Sequence, residues 1–319
     1  MTLKQSFASA FAFFALASAA QAADMQPVLK APGAQPEQQA TGYVEIYSGW
    51  GSTKSTECFT SPDECSTFKG NGWALGGAAR GNYWITRDVS VQVDAQGEGT
   101  SYDVPSRNDH FSAHSYLVGG HWSWRNPQQY LFGLFAAAGD AGSDFGVTNA
   151  QRHGLIGAEA QWYWNQFTFY AQGGYDTTLG TVESRGIDSV NAWFIRGTGR
   201  YFFNPNFLIE GTVMYANGNI DGASGFSSVG FNTWTWGVKG EWRLPTAPFS
   251  VFAKYEGSQT KYAFSEDQVF KVTDQRVLLG LKLHMGDRTL QQTDRAGATL
   301  DIKSPLANPT SPLMFVNRD

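Results

Sequence analysis

From Thr41 to about Gly286, apolar and polar side chains alternate residue by residue, and this constrains the fold more than any other feature. Period-two alternation puts successive side chains on opposite faces of an extended strand. Val89, Val91, Val93 and Ala95 share one face, and Ser90, Gln92, Asp94 and Gln96 the other. Trp193, Ile195, Gly197, Gly199, Tyr201 and Phe203 lie opposite Arg196, Thr198 and Arg200. Trp234, Trp236, Val238 and Trp242 alternate with Lys239, Glu241 and Arg243, and Val277, Leu279, Leu281 and Leu283 with Lys282 and His284. Each strand therefore needs an apolar medium on one side and a polar one on the other.

The connections are of two kinds. Short ones, built on the turn formers Asn and Pro, fall at Thr86-Arg87-Asp88, Asn126-Pro127-Gln128, Asn165-Gln166, Asn204-Pro205-Asn206 and Pro245 to Pro248. Longer polar ones fall near 52–70, 99–109, 140–149, 177–189, 218–230 and 258–272. The two kinds alternate strictly. That is the plan of an all-β, transmembrane, antiparallel up-and-down β-barrel with short periplasmic turns and long external loops. The spacing predicts about twelve strands, with eight to ten as the smaller alternative. They fall near 42–51, 71–85, 89–98, 111–125, 130–139, 150–164, 167–176, 190–203, 207–217, 231–244, 249–257 and 274–285. An even count puts both termini in the periplasm, in the outer membrane of a Gram-negative cell.

Composition agrees. Aromatic residues make up 15%, glycines number 36, and charged residues are only 16%, below the usual quarter of a soluble domain. A soluble β-sandwich would have to bury every wide apolar face against another while its opposite faces hold charges. Aromatics gather beside the short turns: Tyr83 and Trp84, Trp122 and Trp124, Trp162 and Trp164, Tyr201 and Phe203, Phe207, Trp242 and Phe249. Such rings favour the headgroup zone of a bilayer. The net charge of −5 gives no support for nucleic-acid binding, which needs a basic patch.

The ends are different. Lys4, the apolar run Phe7 to Ala20 and Ala20-Gln21-Ala22 form a cleavable signal peptide over 1–22. Residues 23–40, with Pro27, Pro32 and Pro36, read as a disordered linker ahead of a barrel over 41–286. Residues 287–319 read as a polar periplasmic tail, with folding back into the barrel mouth as the alternative. Cys58 and Cys65 in an exported chain favour a disulfide over a metal pair, because no His or further Cys lies near them in sequence. Closing so small a loop stabilises by about 2–3 kcal/mol at most.

The stretch Ala22-Ala23-Asp24-Met25, Val28, Lys30-Ala31-Pro32, then Thr41-Gly42-Tyr43-Val44 and Gly49-Trp50-Gly51 resembles the mature start of the alphaproteobacterial porin-like outer-membrane barrels, the opacity-protein-like family. The resemblance implies location and fold, and a porin-like channel. Two features depart from it. Small members have about eight strands, and they end on an aromatic residue in the last strand. Here Val277 to Met285 carries Gly280, Leu283 and Met285, and a tail follows.

Alternation assigns Glu45, Arg80, Gln92, Asp94, Glu98, Glu159, Arg196, Arg200, Glu210, Lys239, Glu241, Arg243, Lys254, Glu256 and Lys282 to the lumen. A turn centred on Pro205 sets Arg200 opposite Glu210. A hairpin centred between Ala247 and Pro248 sets Lys239 opposite Glu256 and Glu241 opposite Lys254. The charges either form a hydrogen-bonded core that plugs the lumen or line a narrow path for ions and small solutes, since eight strands are filled by side chains and sixteen leave a channel. The expected function is porin-like passive diffusion, with a non-conducting structural or surface-interaction barrel as the alternative. Expected partners are outer-membrane lipids, lipopolysaccharide and the barrel-assembly machinery, and a homo-oligomer is open; no cofactor or metal is expected.

One pattern suggests catalysis. His110 and Ser112, two apart on one face, have the spacing of a barrel lipid hydrolase, and His114 follows. Nucleophilic chemistry needs a third group to orient the His. Asp109 points to the other face, and no downstream Asn or Glu stands at a telling distance. The expectation is therefore that the chain is not an enzyme. His121, His153 and His284 are isolated in sequence, and glycine pairs such as Gly76-Gly77 and Gly173-Gly174 sit inside strands, where they mark bends or close backbone approach.

Overall fold

A computed structural model describes residues 39–59, 65–104, 109–143, 151–180, 189–222, 228–265 and 268–313. The signal peptide, nearly all of the linker, the long-loop tips and the last six residues lie outside the described residues.

Among the described residues the alternating segments form twelve strands: β1 (Ala40–Phe59), β2 (Cys65–Trp84), β3 (Val89–Val104), β4 (Asp109–Asn126), β5 (Tyr130–Ser143), β6 (Gln151–Trp164), β7 (Phe167–Thr178), β8 (Ser189–Asn204), β9 (Phe207–Asp221), β10 (Ser228–Arg243), β11 (Phe249–Ser265) and β12 (Gln268–Met285). A short helix, α1 (Leu290–Ala296), follows them. Each strand pairs antiparallel with its neighbours in sequence, and β1 pairs with β12 to close the barrel. The seam runs from Gly42 opposite Met285 to Phe59 opposite Gln268, so no edge is left unpaired.

The predicted strand count and short turns match. The strands are longer than expected: β1 and β2 have 20 residues each, where about 9–11 cross a bilayer. Much of the predicted loop 52–70 is therefore paired strand, up to Cys58 opposite Cys65. These ends are rich in Ser, Thr and Lys. Beyond the membrane the outward face no longer needs apolar residues, so the alternation fades although the ladder continues.

The outward face carries a continuous apolar band. Leu75, Ile156 and Leu279 are 67%, 66% and 65% exposed, an arrangement suited to a lipid environment and to no aqueous one. Tyr83, Trp122, Trp124, Trp162, Trp164 and Trp242 all face outward near the short turns. Trp84 does not. It points into the barrel and donates from Nε1 to Ala296 O at 2.8 Å, because adjacent residues of a strand cannot share a face.

Glycines inside the wall admit rings from the next strand. A Cβ on Gly76 would meet the Tyr47 ring at 2.5 Å, and one on Gly280 the Phe252 ring at 2.2 Å. The sequence reading of Gly76 as a place of close approach holds, although the approaching group is a side chain.

The largest departure concerns the segment after β12. It is not an extended periplasmic tail. Leu290 is buried with Phe202 and Leu208 at the short-turn end. Leu300 packs on Leu131 and Tyr170, and Ile302 on Leu117, Phe135, Leu155, Phe194 and Met214. Leu306 and Leu313 join Tyr102, Phe111, Val190, Phe231, Tyr262 and Phe270 near the long-loop end. The segment therefore runs through the lumen from one end to the other. Its apolar residues are too sparse to show a period, yet Leu290, Leu300, Ile302, Leu306 and Leu313 each meet inward apolar side chains of the wall, and their burial drives the insertion.

Candidate functional site: the charged lumen and its plug

The lumen wall is polar in its middle because alternate residues of every strand must face inward. Arg200 Nε lies 2.7 Å from Glu210 Oε2, in the direct cross-strand pair that the Pro205 turn predicts. The other predicted pairs are shifted by two residues. The β10–β11 hairpin sets Lys239 opposite Lys254 and Gly237 opposite Glu256, because its turn is centred one residue earlier than expected. Lys239 Nζ instead lies 3.7 Å from Glu210 Oε1 and 3.3 Å from Glu241 Oε2, and Lys254 pairs with Glu256 on its own strand.

The remaining predicted residues also point inward. Lys282 Nζ lies 3.3 Å from Glu45 and 3.0 Å from Glu241. Arg80 Nε is 3.5 Å from Asp94 Oδ2. Arg276 bridges Glu98, Glu256 and Asp274. Arg243 donates to Asp287 O at 2.6 Å, and Gln92 bonds the tail at Leu300. Sequence reasoning missed Arg125 and Arg276, although their inward parity was visible. It also took three histidines as isolated. His121 sits between Glu159 at 2.7 Å and Asp94 at 3.3 Å. His153 Nδ1 lies 2.9 Å from Asp176, and His284 Nε2 is 2.9 Å from Ser250 Oγ. Their partners lie on neighbouring strands, which no local spacing reveals. Among the described residues no group of His, Cys, Asp and Glu is arranged to hold a metal ion. Cys58 and Cys65 are bonded to each other at the tip of the β1–β2 hairpin.

The plug is bonded to this wall along its length. Arg125 Nη1 donates to Gly297 O at 3.0 Å. Arg200 Nη1 donates to Asp294 Oδ1 at 2.6 Å and Thr299 Oγ1 at 2.9 Å. Arg196 Nη2 donates to Asp301 Oδ1 at 2.5 Å, and Gln172 Nε2 to Asp301 O at 2.8 Å. Tyr262 OH donates to Thr310 O at 2.6 Å. What remains open is a cavity of ≈180 Å³ lined by Glu45, Arg80, Glu98, Lys239, Glu256, Arg276 and the plug residues Asp301 and Lys303.

These features define an outer-membrane β-barrel whose lumen is occupied by its own C-terminal segment. The fold is similar to that of solved outer-membrane barrels. A crystal structure of an outer-membrane channel from Pseudomonas putida F1 matches with a TM-score of 0.55 at 11% identity, over 80% of this chain and 100% of that one. The NanC porin matches with a TM-score of 0.40 at 7% identity, over 74% and 100%. OmpT, an outer-membrane protein of Vibrio cholerae, matches with a TM-score of 0.34 at 9% identity, over 82% and 100%. No protein-family model matches the chain, and no curated protein matches its sequence.

The expectation that the chain is not an enzyme is withdrawn. A barrel scaffold by itself does not decide between transport and chemistry. His110, for which the sequence offered no orienting partner, has its Nδ1 2.8 Å from Asp103 Oδ1 and its Nε2 3.1 Å from Ser101 Oγ.

Proposed function

We propose that this protein is a porin-like channel for ions or small charged solutes, closed at rest by residues 287–313. The observation that carries the reading is the segment from Leu290 to Leu313, which threads a lumen whose wall is lined by both signs of charge. A purely structural barrel needs neither the charged cavity nor a removable chain segment to fill it. In this reading the short turns and the start of β1 face the periplasm, and the plug enters from that side and reaches the long-loop end at Leu313. The outward band contacts outer-membrane lipids and lipopolysaccharide, and barrel-assembly machinery inserts the chain. The N-terminal likeness to the opacity-protein-like barrels supports the same reading.

Single-channel recording in planar bilayers tests it. The full chain is expected to be closed or to flicker, and a chain ending at Gly286 to show discrete, reproducible steps. Folding of both is checked by heat-modifiable migration on a gel. A truncated barrel that folds and stays silent would favour the non-conducting, structural reading, which the apolar cluster around Phe231, Tyr262 and Phe270 supports.

A further inference from the structure

We propose that Ser101, His110 and Asp103 form a catalytic triad on the outer wall of the barrel, and that it hydrolyses acyl esters of membrane amphiphiles. The three residues belong to β3 and β4. Tyr102 faces the lumen, where its OH donates to Asp274 Oδ2 at 2.6 Å, so Ser101 and Asp103 face outward on either side of it. His110 is directly opposite Asp103 in the ladder, and Ser101 is opposite Ser112. His110 therefore reaches Asp103 straight across and Ser101 diagonally. With Asp103 accepting from Nδ1–H, the tautomer leaves the Nε2 lone pair to accept the Ser101 hydroxyl proton. Both hydrogen bonds, 2.8 Å and 3.1 Å, lie in the range such a relay requires.

The position on the barrel selects the substrate. Ser101 is paired with Trp73 of β2, which packs edge-on against Trp50 of β1 at 5.2 Å. Both rings face outward, and exposed Trp at the end of an apolar band marks the bilayer interface. His110 and Asp103 are 57% and 73% exposed, consistent with the wet side of that boundary. Below Ser101 on the same face come Gly99 and then Gly97. A Cβ on Gly99 would meet nothing within 4 Å, and one on Gly97 only atoms at 3.6 Å and beyond. Leu75 is paired with Gly99, and Tyr116 with Gly97. Leu75 and Tyr116 are 67% and 53% exposed. The result is a bare strip, walled by Leu75 and Tyr116, that leads from the serine into the apolar band. An acyl chain fits that strip, with its ester at Ser101.

The chemistry balances without a further reagent. Ser101 Oγ attacks the ester carbonyl while His110 takes its proton. The carbonyl–oxygen bond of the alcohol breaks, and His110 protonates the departing alkoxide. Water, deprotonated by His110, then attacks the acyl-Ser101, and the fatty acid leaves as the proton returns to Ser101.

The test uses the full chain, refolded in detergent and checked for heat-modifiable migration. The first probe is a long-chain alkyl phosphonate ester with a fluorescent leaving group, followed by peptide mapping. Labelling is expected at Ser101, absent in Ser101→Ala and at least 100-fold slower in His110→Ala. Gly99→Leu is expected to slow cleavage of a long-chain ester at least tenfold more than cleavage of an acetyl ester, a split that loss of fold cannot produce. Fatty-acid release from phosphatidylethanolamine vesicles or from lipopolysaccharide micelles then identifies which amphiphile supplies the ester. An unlabelled Ser101 in a folded barrel, equal labelling in His110→Ala, or release from neither lipid overturns the proposal.

Discussion

Gln92 of β3 and Leu300 of the plug bond to each other twice: Gln92 Nε2 donates to Leu300 O at 2.7 Å, and Leu300 N donates to Gln92 Oε1 at 3.2 Å. A side-chain amide thus does for the plug what a neighbouring strand would do. Both backbone groups of Leu300 are buried and leave water on insertion, so they need partners inside the barrel. The same logic holds at Gln96, whose Nε2 donates to Ile302 O at 3.0 Å.

Gln92→Ala leaves both Leu300 groups unpaired. Each lost partner costs about 1–3 kcal/mol, drawn from docking of the plug rather than from the wall. Limited proteolysis of the folded barrel is expected to clip the C-terminal segment sooner than in the parent chain, with heat-modifiable migration unchanged.

Asp301→Ala removes the charged acceptor of the buried Arg196 guanidinium and leaves it only Gln172 Oε1. Breaking such a pair from one side costs about 3–5 kcal/mol. Bilayer recordings are expected to show openings more often than in the parent chain. Arg196→Met with Asp301→Leu, which removes both charges, is expected to restore closure.

Asp287 gives a pH dependence. It lies just past β12, at the short-turn end, and burial pushes its carboxyl from 3.8 up to about 6, against the lowering effect of Thr293 and Arg243. The folded state holds this proton more tightly than the unfolded chain. Its stabilising contribution is therefore full below 3.8 and is lost as pH rises through about 6. The span corresponds to about 3 kcal/mol at most. Asp287→Asn should flatten that part of the profile, read from urea midpoints at closely spaced pH values.

Gly280→Val places methyls where the Phe252 ring and Ile46 O already sit. Gly280 is on β12, at the seam that closes the barrel, where Tyr47 of β1 lies opposite it. Overpacking of this kind costs about 1–3 kcal/mol. The expected outcome is a lower yield of heat-modifiable species on refolding, with little change for Gly240→Val, whose Cβ would meet nothing within 4 Å.

The barrel itself was legible because its signal is local. Alternation at Val89 to Gln96 or Leu279 to Lys282 states which residues face lipid and which face the lumen, and the Asn and Pro turns state where the chain reverses. Even one exact cross-strand pair, Arg200 with Glu210, followed from the position of Pro205. A turn misplaced by a single residue was enough to lose the pairs of Lys239 and Lys254, since register moves by two for each residue of the turn centre.

Sequence alone determined the fold class and the strand count, because a two-sided environment imprints a period of two on every strand it contains. Only the tertiary structure decided that residues 287–313 fill the lumen, that His121 lies between Asp94 and Glu159, and that His110 takes Ser101 and Asp103 as partners. Those contacts join residues far apart in sequence or on different strands. They depend on barrel closure and on register, and neither leaves a mark in the local order of side chains.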